Sequence, residues 1–155
     1  MGEKLKQRLK QSRFQSLHQE AMLNLLVAAS FLEGTMDRLC AGFGITHQQY
    51  NILRILKGAG ESGHPCGEIA VRMIHPSPDV TRRLDALERE GFAERARSTE
   101  DRRVVITKIT QKGLQVLDSM DSALQQHADN FSSRVNEADC ATLSRICEQI
   151  YNDVG

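Results

Sequence analysis

Apolar residues return at roughly helical spacing through the first forty positions. Leu5, Leu9, Leu17, Leu23, Leu26, Val27 and Phe31 predict one long helix ending near Cys40, where Gly42-Phe43-Gly44 stops it. Thr46 and Gln49 are spaced as a capping box. They open a second helix with Tyr50, Leu53, Ile55 and Leu56 apolar, which the glycines from Gly58 to Gly63 close in a loose loop. A short third helix covers about 66–73, with Ile69, Ala70 and Met73 turned inward. Pro78 suits the first position of a fourth helix and Ser77 its N-cap. Val80, Leu84 and Leu87 follow at i, i+4 and i+7 as a buried stripe, and Gly91 is a left-handed stop. The opposite face of that helix carries Asp79, Arg82, Arg83, Asp85 and Arg89.

After Gly91 the period changes. Residues 92–97 and 104–109 alternate well enough for two strands of a hairpin, with 98–103 as the polar turn between them. Thr110-Gln111-Lys112-Gly113 opens a fifth helix, running through Leu114, Leu117, Met120 and Leu124 to about Arg134. A sixth starts near Asn136, with Leu143, Ile146, Ile150 and Tyr151 as its apolar stripe. The expected class is mainly α with a small β-hairpin wing: a winged helix-turn-helix over 46–113 and dimerisation helices in 1–41 and 114–155. No internal repeat or low-complexity linker interrupts this order.

Charge changes the picture only locally. The 155 residues hold 20 basic and 20 acidic side chains, so no global positive field points to nucleic acid. The first thirteen residues, however, carry five basic side chains against Glu3, and residues 72–108 carry nine against seven acids. From Leu114 onward the balance reverses, with two basic and seven acidic residues. No apolar run is long enough to span a bilayer, and the first residues are charged rather than signal-like. With four cysteines and no CxxC pair, reduced thiols in the cytoplasm are the expectation, with no membrane association.

The candidate chemistry lies between residues 77 and 113. Two short helices joined by a tight turn, the second carrying exposed arginines, make a helix-turn-helix, and the hairpin after it makes it winged. Reading a major groove needs donor forks on a helix face free of core contacts, which Arg82 and Arg83 offer. Thr81 is short enough to hold a phosphate, and Ser77 and Asp79 sit at the helix start. Arg102 and Arg103 at the hairpin tip suit a narrow minor groove, with Asp101 placed to brace them. The same fold also serves as a protein-interaction module, and that alternative stays open.

The stretch DVTRRLDALEREGFAERARSTEDRRVVITKITQKG resembles the core signature of the MarR family of bacterial transcriptional regulators. Asp101-x-Arg103 and Ile109-Thr110 with Gly113 match the wing and the following helix start. The resemblance extends upstream through THQQYNILRIL and the long first helix, and so covers nearly the whole chain. It implies a homodimer whose first, fifth and sixth helices interlock and a pseudo-palindromic operator in double-stranded DNA. It also implies release when a small-molecule effector or oxidant shifts the dimer. By the same resemblance, Thr81, Arg82 and Arg83 are recognition-helix contacts, and Asp101 and Arg103 belong to the wing, Arg103 entering the minor groove. A ligand cleft between body and winged helix would draw on Leu39, Phe43 and Tyr50. Many members carry Gly-Ile before the recognition helix. Here the turn reads Ile74-His75-Pro76-Ser77-Pro78, and since Ile disfavours positive φ it is expected to take another route.

A dimer also follows from the residues themselves. Helices two to four and the hairpin close a core, which leaves the apolar stripes of the terminal helices to find each other across a two-fold axis. The remaining reactive groups argue for little. Cys140 and Cys147 are too far apart along a helix for a disulfide. His64 and Cys66 are two ligands without the spacing of a zinc site. Oxidant-sensing relatives place their cysteine early in the first helix, where this chain has Phe14, Ser16 and His18. Cysteine oxidation therefore remains an alternative mode of response only. No nucleophile triad, phosphate-cradling loop or carboxylate pair stands out, so no enzyme activity, cofactor or metal is expected.

Overall fold

In the computed structural model, which describes residues 2–152, the first apolar stretch is two helices rather than one. Helix α1 spans Glu3–Leu9 and ends at Lys10, whose φ is 53°. Helix α2 spans Leu17–Ala41 and starts at Ser16, whose hydroxyl accepts the Gln19 N–H at 3.1 Å. The Gln19 side chain accepts the Gln15 N–H at 2.7 Å in return. This reciprocal satisfaction of orphan donors is a strong start signal, and it overrides an apolar period that runs straight across it.

Helix α3 (His47–Ala59) has the expected capping box, with the Thr46 and Gln49 side chains each accepting the other's backbone N–H. The segment after it is not a loose loop. A 3-10 turn at Gly60–Ser62 leads into a short strand β1 (His64–Pro65), which pairs antiparallel with a later strand. Pro65 is tolerated because β1 lies at a sheet edge. Helix α4 (Cys66–Arg72) follows, and then the turn to α5 (Val80–Arg89). Helix α5 begins two residues later than expected. Asp79, not Ser77, is its N-cap, and it makes no side-chain cap bond. The Ser77 hydroxyl instead accepts the Asp79 N–H at 3.2 Å in the preceding turn, where Pro76 and Pro78 disfavour helix in the residues before them. As expected from Ile74, this turn uses no left-handed residue; the Asn51 side chain holds it by accepting the Ile74 N–H at 2.9 Å.

Strands β2 (Ala93–Arg97) and β3 (Val105–Ile109) form the hairpin, with Ala93 opposite Ile109 and Arg97 opposite Val105. The sheet order is β1-β3-β2. The expected fifth helix is divided at Met120 into α6 (Gln111–Ser119) and α7 (Asp121–Ser132). The Ser119 hydroxyl donates to Val116 O at 2.6 Å and the Met120 N–H bonds Leu117 O at 3.0 Å, a local tightening that bends the rod. Helix α8 (Glu137–Tyr151) is capped by Asn136, which accepts the Asp139 N–H at 2.9 Å.

The core joins Ile52, Leu53 and Leu56 of α3, Ile69 of α4, and Leu84 and Leu87 of α5, closed by Leu117 and Met120. Each of these side chains is worth about 1.5–3 kcal/mol when removed from water. The rest of the molecule is built differently. Helix α2 buries only Cys40, and α7 and α8 bury no side chain. Leu17, Met22, Leu26 and Phe31 on α2 and Leu143, Ile146, Ile150 and Tyr151 on α8 are exposed. Among the described residues, no helix is long and apolar enough to cross a membrane.

Candidate nucleic-acid interface

Helix α5 turns Val80, Leu84 and Leu87 into the core, which fixes Thr81, Arg82, Asp85 and Arg89 on the outside. Its end is locked. Gly91, at φ 81°, lets the Phe92 N–H bond Leu87 O at 2.9 Å and the Gly91 N–H bond Glu88 O at 3.0 Å. These are the two bonds of a Schellman ending, which only glycine enters without strain. Thr110 then ties the far end of the hairpin to the same point, its hydroxyl donating to Gly91 O at 2.6 Å and its N–H to Phe92 O at 3.1 Å. Gly113 packs so closely on Phe92 O and Ile109 that a Cβ there would collide with both.

The wing is anchored at mid-strand as well. The Arg95 guanidinium lies between Asp85 and Glu88 of α5, 3.1 Å from the Glu88 carboxylate, with its side chain only 25% exposed. The Arg95 bonds hold the Glu88 carboxyl below its usual range, and the two acids raise the guanidinium in turn. At the tip, Ser98 accepts the Glu100 and Asp101 N–H groups and Arg97 donates to Arg102 O at 2.7 Å. Asp101 accepts the Arg103 N–H at 3.0 Å and lies 3.6 Å from its Nε, the brace the sequence suggests. The Arg103 side chain is 94% exposed.

Between the start of α3 and the outer face of α5 runs an open cleft of about 610 Å³, lined by Thr46, Gln49, Asp79, Arg82, Arg83, Asp85, Ala86 and Arg89. Arg83 is half-buried beside it, and its Nε is shielded from water without a hydrogen-bond partner among the described residues.

A sequence model of the MarR family matches residues 45–105, from the start of the helix-turn-helix through the wing. Among solved structures, a MarR transcription factor from Planctomyces limnophilus is 31% identical, with a TM-score of 0.66 over 88% of this chain and 99% of that one. The chain belongs to the MarR family. The transcriptional repressor CouR, bound to a 23-mer DNA duplex, is 26% identical with a TM-score of 0.72, covering 83% of this chain and 89% of that one. The HTH-type transcriptional repressor IacR of Pseudomonas putida is 26% identical over 119 residues, which are 77% of this chain and 70% of that repressor.

On this MarR-family scaffold the sequence-derived residues fall into three groups. Ser77, Asp79, Thr81, Arg82 and Arg83 gather at the start of α5, and Asp101, Arg102 and Arg103 gather at the wing tip. Leu39, Phe43 and Tyr50 pack against the winged-helix core, and burial raises the Tyr50 hydroxyl. The open grooves of the body lie elsewhere, between α2 and α7, lined by Phe31, Leu32, Phe131 and Arg134. The structure adds two residues to this geometry that the sequence does not single out as candidates, Arg89 and Arg95. Arg89 shares the cleft with Arg82, seven residues away on the same face, and that spacing was legible. Arg95 was not, because a single arginine in a strand carries no sign of the helix it grips. Among the described residues, no three His, Cys, Asp or Glu side chains are gathered to hold a metal.

Proposed function

We propose that this MarR-family chain is a sequence-specific DNA-binding transcriptional regulator, a repressor answering to a small-molecule effector, that grips a pseudo-palindromic operator as a homodimer. The observation that carries this reading is the set of guanidinium groups on one braced unit. Arg82 lies on the outer side of α5 with Arg83 half-buried beside it, and Arg103 stands almost wholly exposed at the wing tip. Arg82 and Arg83 read base edges in the major groove, with Ser77, Asp79 and Thr81 setting the helix start against the backbone. Arg102 and Arg103 follow the adjacent minor groove, Asp101 holding Arg103 in place. The likeness to a repressor bound to a DNA duplex supports the same reading.

Residues 46–113 serve as the reading unit, and 1–41 with 114–155 as the dimerisation segments; Met1 and residues 153–155 lie outside the described part. The exposed apolar faces of α2 and α8 support a second copy as their cover. Leu39, Phe43 and Tyr50, packed against the core where the end of α2 meets α3, are the residues on which an effector cleft between body and reading unit would draw. A cytoplasmic site of action follows from this function.

The test is selection of bound duplexes from a random-sequence pool with the whole protein, followed by titration of the winning duplex at several salt concentrations. The expected result is an inverted repeat whose half-sites lie about one helical turn apart, with affinity falling steeply as salt rises. No enriched sequence would overturn the reading, and a monomer at micromolar concentration in sedimentation would overturn the dimer.

A further inference from the structure

We propose that Arg95 is a positioning residue for DNA recognition, coupling the wing tip to the recognition helix so that the two grooves are read as one geometry. The inference rests on the reading unit proposed above and deepens it. An isolated two-stranded hairpin is at best marginally stable and has no fixed angle to its neighbours. Here β2 is the edge strand beside α5, joined to that helix by a short turn. The Arg95 guanidinium reaches Asp85 and Glu88, three residues apart on α5, while its backbone N–H donates to the other Glu88 oxygen at 3.0 Å. One glutamate therefore registers both the strand backbone and the side chain against the helix.

Arg97, two residues on and on the same face of β2, donates to Arg102 O at the tip. The two arginines make a continuous linkage from α5 through β2 to Arg103. With its guanidinium committed to two carboxylates, Arg95 is not free for phosphate. The linkage also neutralises both acids of α5, which would otherwise repel a DNA backbone.

The test uses the whole protein and the duplex selected by the wild type. Arg103→Ala alone is expected to weaken binding on the order of tenfold; no change sinks the wing reading and this inference with it. Arg95→Ala is expected to weaken binding similarly and to leave Arg103→Ala with little further effect, while Arg82→Ala keeps its full effect in the Arg95→Ala background. Full additivity of Arg95→Ala with Arg103→Ala overturns the positioning role and leaves the wing reading intact. Equal loss of the Arg82 and Arg103 contributions also overturns it, since that marks general structural damage.

The double variant Asp85→Asn with Glu88→Gln checks the same linkage without touching an arginine. It removes two negative charges from the reading face, so simple electrostatics makes binding tighter. A positioning role makes binding weaker and shrinks the Arg103 contribution. Tighter binding with that contribution unchanged overturns the proposal.

Discussion

The reading unit and the helical body are built from similar amphipathic helices, yet they keep their apolar faces in opposite places. The ten residues of α5 bury three side chains, and α3 buries Ile52, Leu53 and Leu56 together with its capping Gln49. The fifteen residues of α8 bury none, and Leu143, Ile146, Ile150 and Tyr151 lie open along it. A helix of that length is marginal in water without a packed face. The reading unit closes its core within one chain; the body leaves its packing to the proposed second copy. A regulator gains from that division, because the distance between two rigid readers is then set by a surface that an effector can shift.

The largest expected effect breaks the body and spares the reader. Ile146→Asp with Ile150→Asp places carboxylates in the face that the second copy would cover. Sedimentation is expected to show a monomer, and affinity for a two-half-site duplex to fall by about 10²–10⁴-fold as the linked second contact is lost. A single half-site should bind nearly as before. A variant that stays dimeric and binds both half-sites normally would show that α8 is not the cover. The converse change is Leu84→Ala, in a fully buried site of the reader. It should lower stability by about 2–5 kcal/mol, read as an earlier urea midpoint, while the folded protein stays dimeric.

The two regions were not equally legible in the sequence. Most elements of the reader are visible, because local signals and tertiary structure agree there; the exceptions are the start of α5 at Asp79 rather than Ser77 and the segment from Gly60 to Pro65. The Thr46–Gln49 capping box, the Val80-Leu84-Leu87 stripe, the Gly91 stop and the alternating strands each name their own element. The body misled. Apolar period alone runs α1 into α2 and α6 into α7, since apolar spacing does not register where the backbone hydrogen bonding is interrupted. The Ser16–Gln19 cap and the local bonds of Ser119 and Met120 that divide the rods lie outside what apolar spacing registers. Strand β1 was hidden for a related reason: two residues carry no period, and His64–Pro65 becomes a strand only because β3 lies alongside. At the site, exposure of Arg82 and Arg103 was legible from their own positions. The Arg95 linkage was not, because it is a relation between a strand and a helix.

Within the reader, intermediate effects separate the two grooves. Arg82→Ala is expected to cost about 1–3 kcal/mol in binding and to relax base preference at one position of each half-site. Arg103→Ala should cost a comparable amount with a broader change of preference in the flanking bases, where groove width rather than base edges is read. Repeating the selection with each variant measures both. Identical preferences in all three proteins would remove the distinction between a base-reading helix and a shape-reading wing.

The smallest effect sits where the two regions join. Cys40, at the end of α2, is fully buried, and burial pushes its thiol up from 9.0 to about 11, with the Asp37 carboxylate adding to the shift. The folded chain therefore keeps this proton through a range in which the unfolded chain releases it. Between about pH 9 and about pH 11 the unfolded state binds fewer protons, so stability falls as pH rises through that window and is unaffected by this group below it. Thiol labelling near neutral pH should accordingly reach partly exposed Cys66 first and Cys40 last. Cys140 and Cys147 on α8 report on the body. They should react slowly in the wild type, where the proposed second copy covers α8, and faster in the Ile146→Asp, Ile150→Asp protein, while Cys40 stays silent in both. Rapid labelling of Cys40 in the monomeric variant would mean that the reader's core opens when the body comes apart, and the two regions would then be one cooperative unit rather than two.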